Sequence, residues 1–337
     1  MPKPRVVVLA PEALFVSFFD RARQRRLSRI GRWSRLAGRR LTGAIRAALE
    51  EADAIVTTWD SPRWFGEELT ALAPRLRLVA HCGGEVKARF ARPLFDRLTI
   101  ANAPGPMSPY VAELAVTFLL MAVRRVDDYR AALRRASNAI YGALHTHGAG
   151  AETLRGRTIG VLGLGRIGQE VARLLRPFGV RLLAHDPYVP ARVASRLGVV
   201  LVPFGRLLRE AEHLVLAAGL TDETRGLLGR TELSRLRDGA TVVNVARGGL
   251  VDLDAMVAEV GRGRLRYAVD VTDPLEPLPL RHPLRRLRGA CVTPHVGSAM
   301  VEVRQAMADI VLDTLERFFA DRRVPNRVTP AMLSRMT

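Results

Sequence analysis

Thr158-Ile-Gly-Val-Leu-Gly-Leu-Gly-Arg-Ile-Gly168 decides how this 337-residue chain is read. Thr158 to Leu162 is a short apolar run of buried-strand character, and Ile167 to Leu175 carries apolar residues at helical spacing. Gly163, Gly165 and Gly168 fall between and just inside them. The first glycine permits a tight turn, the second lets backbone approach a pyrophosphate, and the third lets helix pack on strand. The N–H groups at the helix start, around Arg166, Ile167 and Gly168, are then left for an anion. A second candidate strand, Val180 to His185, ends in Asp186, about where an acid binding the adenosine ribose is needed. A carboxylate there accepts from a 2′-hydroxyl and repels a 2′-phosphate, so NAD is expected over NADP. His185 and Arg181 soften that preference.

Outward from this turn, the chain after Arg157 alternates strand and helix patterns. Strands are predicted at Thr158 to Leu162, Val180 to His185, Leu214 to Ala217, Thr241 to Val245, Tyr267 to Val271 and Ala290 to Thr293. Helical patterns fall between them at Arg166 to Arg176, Phe204 to Ala211, Arg230 to Arg235 and Leu253 to Arg262. Six strands with short crossovers imply one doubly wound parallel sheet. Upstream, strands at Arg5 to Leu9, Ala54 to Thr58, Leu76 to His81 and Leu98 to Asn102 alternate with helical patterns such as Thr42 to Ala52 and Glu67 to Ala73. Pro104-Gly-Pro106 breaks the chain before a long apolar-periodic helix, Pro109 to Arg125, and the stretch to Leu154 reads as a helical arm plus loop. The last helix, Met300 to Phe319, is expected to return to the first domain. The fold class is therefore α/β with two domains, 1–104 plus 297–337 and 105–296.

Composition narrows the function classes. With 48% hydrophobic and 25% charged residues the chain reads as a soluble globular protein. No apolar run is read as reaching the roughly 18 residues of a membrane span. Pro11 and Glu12 interrupt the apolar start, so a strand running into a helix is expected there, not a secretion signal. Cys82 and Cys291 are too few for a disulfide framework and fit a reducing compartment, with cytoplasm the default. The net charge is +19, and Lys3 and Lys87 are the only lysines. Such a skew toward arginine fits coding bias, while the excess of positive charge attracts anionic substrates and, non-specifically, polyanions. The densest run, Arg21 to Arg40, holds nine arginines and no acid, with Leu27, Ile30, Trp33 and Leu36 at helical spacing. A solvated helix face is its expected role, and specific nucleic-acid binding is not expected.

The chemistry is carried by other residues. Arg247, in Val243-Asn-Val-Ala-Arg-Gly-Gly249, lies just past a strand's carboxyl end, where open α/β sheets place ligands. Its guanidinium can grip a carboxylate with two parallel hydrogen bonds. His295, in Thr293-Pro-His-Val-Gly297, again follows a strand and is a natural proton donor near neutral pH. Glu276, in Asp270-Val-Thr-Asp-Pro-Leu-Glu-Pro277, is the carboxylate expected to raise the imidazole pKa.

With these motifs in order, the sequence resembles the D-isomer-specific 2-hydroxyacid dehydrogenase family. The resemblance covers nearly the whole chain and rests on Leu154 to Gly168, His185-Asp-Pro-Tyr188, Val243 to Asp252 and Thr293-Pro-His295. It implies a flavodoxin-like substrate domain, a Rossmann NAD-binding domain and hydride transfer between nicotinamide and a small 2-hydroxy or 2-oxo acid. It implies that Arg247 binds and polarises the substrate, and that Glu276 and His295 form the acid/base pair. It also implies that Asp270 orders the nicotinamide end, with Ala246 and Gly297 near the cofactor, and that backbone N–H groups of His81-Cys-Gly-Gly84, at Gly83 and Gly84, hold the substrate carboxylate. A homodimer across the nucleotide domains is implied too. Two departures stand out. The family glutamate falls five positions after the strand-ending aspartate, whereas here Leu275 is fifth and Glu276 sixth. Ala217-Ala-Gly219 stands where the family has a His-x-Pro sequence.

The remaining features weigh less. His145 and His147 lack a third ligand, so no metal is expected. His81 either edges the substrate cleft or ends a strand; His213 and His282 read as surface residues. Trp59 is a pocket wall or core, with core preferred. The apolar helix Val111 to Val123 suits either a dimer face or a buried interdomain position. A chain ending at Thr337 leads to the expectation of no appended regulatory domain. Two rival functions remain: a non-catalytic NAD(H)-sensing protein on the same fold, motivated by the displaced Glu276, and nucleic-acid binding through Arg21 to Arg40. Neither needs both Arg247 and His295, so the dehydrogenase is the reading taken.

Overall fold

The computed structural model describes residues 3–135, 142–143, 145–146 and 153–336. His147 and part of the arm before Leu154 lie outside them. The chain forms two compact units, 1–107 with 299–337, and 108–298.

In the first unit β1 (Arg5–Leu9), α1 (Glu12–Phe18), α2 (Arg21–Ile30), β2 (Arg32–Leu36), α3 (Gly43–Glu50), β3 (Ala54–Thr57), α4 (Leu69–Leu72), β4 (Leu78–His81), α5 (Leu94–Arg97) and β5 (Thr99–Asn102) follow in order. The sheet is parallel, ordered β2-β1-β3-β4-β5. Strands β3 and β4 are buried throughout, which is why they read as unbroken apolar runs. The strand order reverses beside β1, and at the carboxyl ends of β1 and β3 a parallel sheet opens a crevice for ligands. The helical reading of Arg21 to Arg40 is corrected: α2 stops at Ile30, and Arg32 to Leu36 pairs with β1 as an edge strand. Gly31 explains the break, because a Cβ there would lie 2.5 Å from the Pro4 carbonyl oxygen.

The second unit begins with α6 (Ser108–Val123) and α7 (Val126–Arg135). Then come β6 (Thr158–Leu162), α8 (Arg166–Leu175), β7 (Arg181–His185), α9 (Ala191–Leu197), β8 (Val199–Leu201), α10 (Phe204–Glu210), β9 (His213–Leu216), α11 (Arg230–Ser234), β10 (Thr241–Asn244), α12 (Leu253–Gly261), β11 (Arg266–Val269) and β12 (Ala290–Val292). Its sheet is parallel and seven-stranded, ordered β12-β11-β10-β9-β6-β7-β8. The six-strand expectation missed β8, a three-residue edge strand too short to show a period. Gly105–Val123 is, by length and composition, long and apolar enough to cross a membrane, contrary to the reading of the sequence. Val111, Ala112, Ala115, Val116, Phe118, Leu119 and Val123 are nevertheless buried in the fold, while Leu114, Leu120 and Met121 on the same helix are half-buried.

The chain ends with α13 (Val301–Phe319) in the first unit, against α1, α2 and β4. Two of the α2 arginines are neutralised there: Arg23 donates to Asp309 at 2.6 and 2.9 Å, and Arg26 to Glu316 at 2.7 Å and to Asp313. The basic run is thus partly an interhelical ion-pair seam.

Candidate active site

The glycine turn shows three different jobs. Gly163 has φ +88°, and a Cβ on it would lie 2.6 Å from the Ala218 backbone. The Ala217-Ala218 segment therefore packs directly on the turn. At Gly168 a Cβ would sit 2.1 Å from the Gly163 carbonyl oxygen, so the helix approaches the loop only without a side chain. Gly165 is exposed and meets nothing within 4 Å. It is the N-cap of α8, and no side chain caps that helix. Open space in front of uncapped N–H groups at Arg166 and Ile167 is the cradle a pyrophosphate needs.

Asp186 follows β7 and is half-buried. One carboxylate oxygen accepts from the N–H of Tyr188 at 2.9 Å and of Val189 at 3.0 Å. The other accepts from Leu164 N–H at 2.8 Å. A carboxylate offers about four acceptor sites, so one remains for a ribose hydroxyl. The residues fit a dinucleotide, and Asp186 also ties the glycine turn to the next strand.

Arg247 follows β10 in extended conformation. Buried Asn244 shapes its turn: its amide oxygen accepts from Ala246 N–H at 3.1 Å, and its Nδ2 donates to the Arg247 carbonyl at 3.0 Å. The arginine's Nη1 donates to the Ala246 carbonyl at 2.7 Å, leaving the other guanidinium N–H groups free for an anion. Gly248 then runs against the next loop, where a Cβ would lie 2.3 Å from the backbone of Thr272 and Asp273. The Arg247 turn and the loop carrying Glu276 are therefore in direct backbone contact.

His295 Nδ1 lies 3.0 Å from Glu276 Oε1. The extra residue in the loop is accommodated by turning Leu275 outward, where it is 52% exposed. Its carbonyl is held by the Thr272 hydroxyl. The hydrogen bond from Glu276 raises the His295 pKa above its ordinary value; burial opposes the rise, and nearby Arg247 adds to that opposition. The imidazolium thus persists to higher pH than in a free histidine.

His295 adopts φ +56°, uncommon for a residue with a side chain. Buried Asp270 over-determines that conformation. Its carbonyl accepts from His295 N–H at 2.9 Å, one carboxylate oxygen from Val296 N–H at 2.8 Å and the Thr293 hydroxyl, and the other from Gly297 N–H at 2.8 Å. Asp270 and Gly297, read from sequence as cofactor residues, here form the clasp of the histidine turn.

Gly83 and Gly84 stand beyond the carboxyl end of β4 in the first unit. A Cβ on Gly83 would lie 2.6 Å from His81 Nε2. The Gly83 N–H donates to the His81 carbonyl at 2.9 Å, the Gly83 carbonyl accepts from Ala103 N–H and that of Gly84 from Asn102 Nδ2, which fixes the loop and leaves the Gly84 N–H outside those bonds. His81 ends the strand: it is buried, its Nδ1 pairs with the Thr57 hydroxyl at 2.9 Å, and burial with the Arg89 charge lowers its pKa to about 3. His213 is corrected from a surface residue to a buried one whose Nδ1 accepts from Thr241 N–H. Trp59 is corrected the other way, being 41% exposed. Sequence reasoning missed Asn244 and Thr293 as positioning residues; each lay inside a motif already singled out, but nothing in spacing announces which backbone group a side chain will hold. Among the described residues no His, Cys, Asp and Glu group could hold a metal.

A doubly wound sheet with this turn, and with an arginine past the end of β10 and a histidine past the end of β12, defines a dinucleotide-dependent oxidoreductase of the α/β class. Residues 116–297 match the family model described as D-isomer specific 2-hydroxyacid dehydrogenase, NAD binding domain. The chain is 34% identical over 290 residues to a D-3-phosphoglycerate dehydrogenase of Mycobacterium leprae, covering 84% of this chain and 52% of that protein. It is 32% identical over 286 residues to a glyoxylate reductase of Korarchaeum cryptofilum, covering 83% of each. The crystal structure of the TT0316 protein from Thermus thermophilus superposes with a TM-score of 0.81 at 32% identity, covering 96% of this chain and 100% of that one. The chain belongs to the D-isomer-specific 2-hydroxyacid dehydrogenase family, and its second unit carries the family's NAD-binding domain. It spans about half the length of the phosphoglycerate dehydrogenases it matches.

Proposed function

We propose that the protein is an NAD-dependent D-2-hydroxyacid dehydrogenase working as a 2-oxo-acid reductase. The observation that carries this is the 3.0 Å His295–Glu276 pair beside Arg247. Bound NADH supplies the hydride. Arg247 holds the substrate carboxylate and polarises the neighbouring carbonyl. His295, kept protonated by Glu276, gives its proton to the carbonyl oxygen as that oxygen becomes a hydroxyl. Arg166, Ile167 and Gly168 would hold the pyrophosphate through backbone N–H groups, Asp186 would accept from the ribose, and Ala246 would line the nicotinamide end. Of the Gly83-Gly84 pair, Gly84 is the one proposed to offer its backbone N–H to the carboxylate, since the Gly83 N–H already donates to the His81 carbonyl at 2.9 Å. The names of relatives that reduce glyoxylate or oxidise phosphoglycerate support a small 2-hydroxy acid as substrate.

A homodimer in a reducing, cytoplasmic compartment belongs to the same reading. Exposed Val126 and Leu133, seven residues apart on α7, and two free cysteines support it. The non-catalytic sensing alternative loses its motive, because the displaced Glu276 reaches His295. The test is NADH oxidation against glyoxylate, hydroxypyruvate, pyruvate and bulkier 2-oxo acids. Binding of NADH without oxidation by any of them would overturn the reading.

A further inference from the structure

Of the nine arginines from Arg21 to Arg40, four are paired with acids: Arg23 and Arg26 with residues of α13, Arg35 with Glu12, and Arg39 with Asp60. Arg21, Arg25 and Arg29 differ. They recur every fourth residue of α2 and are exposed, so they form one row with steps of about 6 Å along the helix axis. Among the described residues no carboxylate pairs with any of the three. The acids bonded to this helix, Asp20, Asp309, Asp313 and Glu316, are all held by Arg23 and Arg26. Like charges four residues apart oppose helix formation. The side of α2 away from the α13 pairs therefore carries a repulsion that the first unit does not offset.

The row borders a groove. Arg21, Gln24, Arg25, Ser28 and Arg29 of α2 and Trp33 of β2 line an open space of about 470 Å³. Trp33 is half-buried and fixed. It packs on buried Phe15 at 5.3 Å between centroids, and its Nε1 donates to the Ser28 hydroxyl at 2.9 Å. The polar end of the indole is thus spent inside the protein, and what remains for a ligand is ring surface. Lys3 Nζ, donating to the Ser28 carbonyl at 3.0 Å, adds a fourth cation.

We infer that this groove binds single-stranded nucleic acid without sequence preference, with Arg21, Arg25 and Arg29 on successive phosphates and Trp33 under a base. Charge complementarity carries the assignment. Guanidinium groups grip phosphate oxygens in pairs, and the net charge of +19 draws a polyanion to the chain. The fixed indole favours a strand with free bases over an acidic peptide, whose carboxylates leave the ring unused, and over a duplex, whose bases are stacked inside. The groove lies within the first unit and uses none of the residues of the reductase reading.

The test is fluorescence anisotropy of a short labelled oligothymidylate with the full-length protein. Three phosphate contacts predict a log–log salt slope of about −2, so affinity should fall about 20-fold between about 50 and 200 mM salt. Arg21→Gln, Arg25→Gln and Arg29→Gln combined should flatten the slope and weaken binding about 100-fold at the lower salt. The side chains are exposed, so a kept melting temperature separates lost binding from lost fold. Arg230→Gln, Arg281→Gln and Arg286→Gln combined remove as much charge from exposed positions of the second unit and should change neither value. Equal losses in both triple variants would mean bulk charge alone and overturn the groove. The strand should quench tryptophan fluorescence, and Trp33→Phe should abolish the quench; a quench that survives places the bases elsewhere. Oligoglutamate or a duplex of equal length bound as tightly would overturn the single-strand assignment. Saturating NADH should leave binding unchanged, and displacement by NADH would put the strand in the dinucleotide crevice instead. A wild type that binds no oligothymidylate at low salt ends the proposal and leaves the reductase reading untouched.

Discussion

Two strand-end loops, one in each unit, store their information differently. The glycine turn after β6 works through backbone: Gly163 and Gly168 are required by contacts at 2.6 and 2.1 Å, and Gly165 is required by nothing in the protein. The Trp59 loop after β3 is held by side chains from elsewhere in the first unit: Phe18 packs on the indole at 5.2 Å between centroids, the Arg304 guanidinium lies over it at 5.8 Å, and Arg89 donates to its carbonyl at 3.4 Å. One is a contiguous stretch with a period; the other is assembled from four separate segments. The first can be recognised from eleven residues, while the second exists only once the sheet and α13 have come together.

Substitutions can break this contrast or sharpen it. The largest effect is expected at the histidine turn, which shares features of both. His295→Asn keeps a side chain that tolerates positive φ and removes the proton donor, so kcat should fall about 10²- to 10⁴-fold with the melting temperature nearly kept. An Asn variant with near-wild-type kcat would remove His295 from the chemistry. Gly163→Ala comes next: strain at φ +88° plus the clash with Ala218 should cost on the order of 2–3 kcal/mol in thermal or urea unfolding. Gly165→Ala is its control. With open space around it, stability should stay within about 0.5 kcal/mol while NADH affinity falls, as calorimetry would show. Equal losses of stability in both would erase the distinction between structural and ligand-facing glycines.

A subtler effect concerns pH. Because Glu276 raises the His295 pKa, the protonated form needed for reduction is present below that raised value and lost as pH climbs through it. Glu276→Gln should therefore move the alkaline limb of kcat/KM to lower pH; a limb that stays in place would mean another group sets it. The smallest effect is expected in the first sheet. Gly31→Ala forces a Cβ against the Pro4 carbonyl and should cost about 1–2 kcal/mol, with NADH binding unchanged.

How much was legible follows from the same contrast. Arg247 and His295 could be proposed from sequence because each sits just past a strand in a short motif, and Glu276 because it lies in the loop that follows β11. Loop length did not decide whether Glu276 reaches His295; in the folded chain Leu275 turns out to solvent and the carboxylate lies 3.0 Å from the imidazole. The edge strands β2 and β8 were missed for opposite reasons. Helical spacing from Leu27 to Leu36 continued through Gly31 by coincidence, and Val199 to Leu201 is too brief to have a period. Asp270 was expected near the cofactor, yet its hydrogen bonds hold the turn that aims His295.

By itself the sequence determined the alternating α/β pattern, the glycine turn and the polar residues at strand ends, because those depend on local periodicity and backbone permissiveness. Tertiary structure alone decided that Glu276 reaches His295, that Asp270 clasps the 293–297 turn, and that Arg89 and Arg304 both stand at Trp59. Those pairings join residues distant in the chain, and their geometry follows from packing and hydrogen bonding that no local pattern encodes.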